Sequence, residues 1–146
     1  MAFQDGQPIV RFDKAGPYSF EGVAFVPKVI TGIRTITTAE SAINIWAAPA
    51  GTVITRCFGM CLAASGNTNT LVSIGQDGAT ESLIKATELS METVGNFKIY
   101  NGGLYLPTGD NIAVSTSGTA QASSVYYAIE YFDTVAMRAR GTHISV

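Results

Sequence analysis

Two cysteines, one histidine and a scatter of carboxylates are the side chains here that could carry chemistry. Cys57 and Cys61 form a C-x3-C pair. On a helix such a pair stands about 6 Å apart, close enough for a bridge or a shared metal. On a strand the two point the same way but lie about 13 Å apart, beyond the ~7 Å reach of a disulfide. The run Thr52-Val53-Ile54-Thr55 ahead of them and Gly59 between them select the strand, so both are expected as buried free thiols. That expectation fits synthesis in a reducing cytoplasm. His143 has no second histidine with which to build a zinc site or a dyad, and it reads as a surface residue. Asp77, Glu81, Glu88 and Glu92 cluster in sequence. A glycosidase needs two carboxyls about 5–10 Å apart in a cleft, and solvated loop charges explain these four better. Asp77, Glu81 and Asp110 offer oxygen ligands for Ca²⁺, but no D-x-D-x-D run organises them. No phosphate-binding loop, nucleophile elbow or H-E-x-x-H motif occurs. The expectation is a protein that is not an enzyme and uses no cofactor or metal. Trp46, Tyr100, Tyr105, Tyr126 and Phe132 form the last constellation, either a platform for sugar faces or, more commonly, core and intersubunit packing.

The elements that position these residues read as strands. Turn signals recur at Ala50-Gly51, Ser65-Gly66-Asn67, Asp77-Gly78, Asn101-Gly102-Gly103, Thr108-Gly109-Asp110 and Ser117-Gly118-Thr119, between runs rich in Val, Ile, Thr, Tyr and Phe. No segment makes a convincing helix. From Ser124 to Asp133, Val125, Tyr127, Ile129 and Tyr131 alternate with Tyr126, Ala128, Glu130 and Phe132, and the first set should face the core. Asn111 to Ser117 places Ile112 and Val114 on one face, and the loop 117–123 predicts an antiparallel pair with the following strand. Val72 and Ile74, then Phe97 and Ile99, are the expected contributions of two further strands, and Thr35 to Trp46 holds another that ends in Asn44-Ile45-Trp46. Thr80 to Val94 reads as a loop-rich connection, although Glu81 and Lys85 have helical spacing and its apolar residues also fit two short strands.

The segment Thr52 to Leu62 differs from the rest. Uninterrupted alternation puts Ile54, Phe58, Met60 and Leu62 on one face and Val53, Cys57 and Cys61 on the other, so both faces are apolar. A strand of that kind calls for a second covering layer, either an arm of the same chain or a neighbouring subunit. Arg56 is discordant on the Ile54 face and is expected near the rim.

Composition sets the outer bounds. The chain of 146 residues suits one domain. Charged residues make up 14% and hydrophobic ones 47%, against about 25% charged in an average chain, so part of the surface is expected to be covered by other subunits or kept soluble by Ser, Thr, Asn and Gly. A net charge of -2 without a basic stripe argues against nucleic acid as a partner. Apolar runs such as Cys57 to Ala64 are far shorter than the ~18 residues of a membrane span, and no membrane partner is expected. The start lacks a basic region followed by an apolar one, so no secretory signal is expected.

The domain plan is an extended N-terminal arm at 1–30, a β domain at 31–136 and a tail at 137–146. Pro8, Pro17 and Pro27 break regular pairing in the arm, while Tyr18, Phe20, Phe25 and Val26 are too apolar to stay in solvent. The arm docks on a neighbour or forms an ordinary edge strand. Arg138 and Arg140 beside His143 make a small basic cluster, either solvated or docked on an acidic surface.

Ala48-Pro49-Ala50-Gly51-Thr52-Val53-Ile54, the turn at 65–70, Leu71-Val72-Ser73-Ile74-Gly75-Gln76-Asp77-Gly78, Leu104 to Val114 and the closing Tyr126 to Phe132 together resemble small β-sandwich proteins of tailed-bacteriophage virions. The resemblance spans residues 45 to 133. It implies an all-β fold, a single jelly-roll-like antiparallel β-sandwich, and among such proteins a head decoration or cement protein. It further implies a homotrimer that binds the major capsid protein on the outer surface of the head, after synthesis in the host cytoplasm. Tyr18, Phe20, Phe25, Tyr126, Phe132, Arg138 and Arg140 are the candidate shell or intersubunit contacts. The alternative is a receptor- or glycan-binding module of a phage head or tail fibre.

Overall fold

A computed structural model describes residues 26–37, 42–65, 70–117 and 122–135. Tyr18, Phe20, Phe25, Arg138, Arg140 and His143, and with them most of the expected arm and the tail, lie outside the described residues. The elements are β1 Lys28–Ile36, β2 Ile43–Ala48, β3 Thr52–Ala63, β4 Leu71–Gln76, β5 Ala79–Ile84, β6 Phe97–Leu106, β7 Asp110–Ser117 and β8 Ser123–Asp133. A short 3-10 helix, Ala86–Glu88, follows β5. The strands form two four-stranded sheets in the orders β1-β8-β3-β6 and β2-β7-β4-β5, all pairings antiparallel. The chain is a β-sandwich, as expected. β1 starts at Lys28, so it takes in the last three residues of the segment expected as arm.

Only β4 and β5 are consecutive strands of one sheet, joined at Asp77-Gly78; every other consecutive pair is split between the two sheets. This corrects the expected pairing of β7 with β8. Both are central strands: β7 lies between β2 and β4, and β8 between β1 and β3. β7 ends at Ser117 and β8 starts at Ser123 in the other sheet, so the two do not form a hairpin.

The core lies between the sheets. Ile54, Cys57, Cys61, Val125 and Ile129 from one sheet meet Val72, Ile74, Ile84, Ile112 and Val114 from the other, with Leu89, Met91 and Leu106 closing the ends. The alternation read along β8 holds: Val125, Tyr127 and Ile129 are buried, and Tyr131 packs against the same cluster. Residues 80–94 are more ordered than a loop. β5 runs to the buried Leu83 and Ile84, and beyond it Leu89 and Met91 are tied to the start of β4 by Val72 N to Leu89 O at 3.0 Å and Met91 N to Thr70 O at 2.9 Å. The strand expected within 35–46 is the end of β1 followed by β2.

Two face assignments are corrected, both by irregularities that alternation alone cannot register. In β3, Ile54 pairs with Tyr131 and Arg56 with Glu130, so Thr55 is an extra residue opposite β8, a β-bulge. The bulge reverses the parity: Ile54, Cys57, Gly59 and Cys61 face the core, while Phe58 and Met60 are on the other side with Val53. In β6, Gly102 and Gly103 do not form a turn but sit opposite Thr55 within the ladder. Register with β3 then pairs Phe97 with Met60 and Ile99 with Phe58, so Phe97 and Ile99 face outward and Tyr100, Leu104 and Leu106 face the core.

Candidate functional site

The outer face of the β1-β8-β3-β6 sheet carries the concentration of unusual residues. Register fixes its rows. Ile33, Tyr126, Met60 and Phe97 form one cross-strand row, and Thr31, Ala128, Phe58 and Ile99 form the next. Val29, Glu130, Arg56 and Asn101 form a third, and Phe132, Val53 and Tyr105 a fourth. Phe97 and Ile33 are each 59% exposed and Ile99 is 43% exposed. Phe58 is the hub: its ring stacks on Phe97 with centroids 5.8 Å apart and meets Tyr126 edge-on at 6.2 Å. Offset and edge-to-face pairs of this kind contribute about 0.5–1.5 kcal/mol beyond the area they bury.

Between the apolar rows lies an ion pair. Arg56 donates to both carboxylate oxygens of Glu130, Nε to Oε1 at 3.0 Å and Nη2 to Oε2 at 2.9 Å, and the Thr55 hydroxyl donates to Oε1 at 2.8 Å. The bulge places both donors over one carboxylate. The hydrogen bond from Arg56, then that from Thr55, hold the Glu130 carboxyl down at about 2. Arg56 is therefore not at the rim but on the outer face, between two central strands. Arg56 and Glu130 are the only charged residues of the four rows. The corresponding phase of the β2-β7-β4-β5 sheet holds small residues, Ser73, Gly75, Ala113 and Ser115, and all four are buried.

The other candidates disperse. Cys57 and Cys61 are buried, unbridged thiols on the core side of β3, and burial pushes Cys57 up to about 12, which makes it inert. Among the described residues no cluster of His, Cys, Asp or Glu is placed to hold a metal. The carboxylates serve local structure: Glu81 accepts from Ala86 N at 2.8 Å, Glu88 accepts from Lys85 N at 3.4 Å, and Asp110 accepts from Gln76 Nε2 and Asn111 N, both at 2.8 Å. The five aromatic residues do not converge. Trp46 lies 4.6 Å from the Tyr131 ring and, like Tyr100, packs against the core, while Tyr105, Tyr126 and Phe132 are on the outer face. Sequence reasoning put Tyr126 and Phe132 on the outward phase of their strand, as the register does, but gave Ile33, Phe97 and Ile99 no place on that face. The available signal was the run of 52–62, apolar in both phases; in β1 the pattern misled, because Gly32 and Arg34 occupy the inward phase and Val29 and Ile33 the outward one.

No protein-family model and no curated protein matches the chain. Solved structures do. A chain of the cyanophage Pam1 capsid asymmetric unit matches with a TM-score of 0.60 at 14% identity, over 73% of this chain and 84% of that one. A chain of the acid-stable capsid of Helicobacter pylori bacteriophage KHP30 matches with a TM-score of 0.54 at 10% identity, over 73% of this chain and 93% of that one. At such identities the likeness is one of fold.

Proposed function

We propose that this chain is a non-catalytic structural protein of a tailed-phage virion, a decoration or cement subunit on the outer surface of the head. The observation that supports it best is the extent of the fold likeness: 73% of this chain aligns with 84% and 93% of chains that reside in two phage capsids. The strand order β1-β8-β3-β6 over β2-β7-β4-β5 sets every strand but β5 beside a sequence-distant partner, which supports a jelly roll. In this proposal the partner is the major capsid protein, the subunit is a homotrimer made in the host cytoplasm, and the N-terminal arm and the basic tail reach the shell through Tyr18, Phe20, Phe25, Arg138 and Arg140. A subunit attached at several points must be torn from all of them before its neighbours can part, so multivalent attachment resists internal pressure without catalysis. A glycan-binding module would be favoured by Trp46 or Tyr105 exposed in a groove; Trp46 is packed on Tyr131, whereas Tyr105 is 53% exposed on the outer face of its sheet.

Sedimenting particles from a lysate of the producing host and counting this chain against the main shell subunit tests the proposal. Hundreds of copies per particle are expected; a few, or none in the pellet, would defeat it. Deleting residues 1–26 leaves β1 whole. It should weaken attachment more than folding, and equal loss of both would defeat the assigned role of the arm.

A further inference from the structure

We infer that the outer face of the β1-β8-β3-β6 sheet is where one copy of this chain packs against a second copy. The inference rests on the preceding proposal only in taking the chain to self-associate, and not on its capsid part; the contact it describes is a twofold pairing, distinct from the threefold contact of a homotrimer. Its first support is the aromatic and aliphatic surface left open. Phe97 and Ile33, at opposite edges of one row, are each 59% exposed, with Phe58 and Tyr126 in contact between them. A soluble surface places polar residues on the outward phase of a sheet, and this face places Val29, Ile33, Phe97, Ile99 and Tyr105 there, each more than 40% exposed.

The second support is size. Four strands at ~4.8 Å spacing and rows spread over ~24 Å of strand give a projected ~450 Å² per copy. Two such faces bury ~900 Å² before side-chain relief is counted, which brings the pair to the ~1,000 Å² that a specific interface requires. A patch of that size matches the largest found on a typical monomer, about 300–600 Å², and such patches are often functional.

The third is charge. The face has one cation and one anion side by side, Arg56 and Glu130, on adjacent central strands. A surface of that pattern complements itself: a second copy laid on it in the reversed sense puts its Glu130 over Arg56 and its Arg56 over Glu130. A partner of uniform charge would leave one of them opposed by like charge and desolvated.

Analytical ultracentrifugation of the full chain tests this. The wild type should sediment as a multiple of 15.4 kDa at micromolar concentration, and Phe97→Glu and Ile33→Glu, both at exposed sites, should shift it to monomer with at least a hundredfold weaker association while circular dichroism stays unchanged. Arg56→Glu and Glu130→Arg should each weaken self-association, and mixing the two variants should restore a mixed assembly. A misfolded variant would not be rescued by its opposite. A monomeric wild type, or assembly unaffected by all four substitutions, overturns the inference. A monomeric wild type that self-associates once residues 1–25 are deleted also overturns it, by placing the arm on its own face. A monomer in solution that is nonetheless abundant on particles would leave the virion proposal standing and this one refuted.

Discussion

Gly75 is the position where adding one methyl group should cost this fold most. In β4, Ile74 pairs with Ile84 and Gln76 with Ala79, which leaves Gly75 alone opposite residues 80–83 of β5. Those residues arch over its Cα. A Cβ at Gly75 would lie 2.5 Å from Ala79 O, and 2.7 Å from both Ser82 N and the carbonyl carbon of Thr80. All three are main-chain atoms, so no rotamer change relieves the contact and β5 must lift. Lifting breaks the hydrogen bond from Gln76 N to Ser82 Oγ at 3.0 Å and disturbs Ile84, which is fully buried. Overpacking costs about 1–3 kcal/mol, a part-buried hydrogen bond adds about 1 kcal/mol, and the stiffer unfolded chain returns about 0.4–1 kcal/mol. The net for Gly75→Ala is a loss of about 2–3 kcal/mol. Gly78→Ala, in the adjoining turn, is the matched control, because a Cβ there meets nothing within 4 Å. Both variants share the unfolded-chain gain, so their difference isolates the clash. Urea unfolding is followed through Trp46, the one tryptophan, which lies against Tyr131. With a slope of about 2 kcal/mol/M, the Gly75→Ala midpoint should fall about 1–2 M below that of Gly78→Ala. Coincident midpoints would show that β5 does not press on β4 as described.

Two further outcomes follow from the site. Donors from Arg56 and Thr55 hold Glu130 at about 2 against an ordinary 4.5, so its stabilisation is complete above pH 4.5 and is lost as pH falls toward 2. Acid unfolding of the wild type should show that loss and Glu130→Gln should not, and parallel curves would sink the pairing. Cys57 and Cys61 should stay unreactive toward a thiol reagent at mildly alkaline pH in the native protein and both react once it is unfolded; rapid labelling of the native state would contradict their burial.

The sandwich was legible because its strongest signals are local. Alternation from Val125 to Tyr131 and at Val72 and Ile74 gave the core phase of β8 and β4, and the strand context of Cys57 and Cys61 gave two buried thiols. What was illegible depends on partners distant in sequence. That β8 sits between β1 and β3 rather than beside β7 is a property of the whole topology. The bulge at Thr55 has no marker in β3 itself; it is visible only in the register with Glu130 and Tyr131. One missed residue then inverts everything after it, because side chains alternate with period two. The same error hid the outer face: it groups Phe58 and Met60 with the buried Ile54, and so gives no sign that Phe97 and Ile99, which pair with them, face outward. Gly102-Gly103 carries an ordinary turn signal, and only its position opposite Thr55 makes it a bulge.

The bulge therefore sets more than local geometry. Without Thr55 as an extra residue, alternation from Ile54 would turn Phe58 and Met60 inward and Cys57 and Cys61 outward, and the aromatic contacts of Phe58 with Phe97 and Tyr126 would be lost. The same irregularity on β6 interrupts the ladder at an edge of that sheet with two adjacent glycines, and Lys98, on the same strand, leans 3.8 Å from Glu88. Broken register and a nearby lysine are devices that oppose strand addition at an edge. The β6 edge thus opposes a further strand, while the face beside it exposes Phe97 and Ile99. Association through that face needs no new backbone ladder and leaves both sandwiches intact. It places the specificity on Arg56 and Glu130, the paired charges that a partner of uniform charge would desolvate and oppose with like charge.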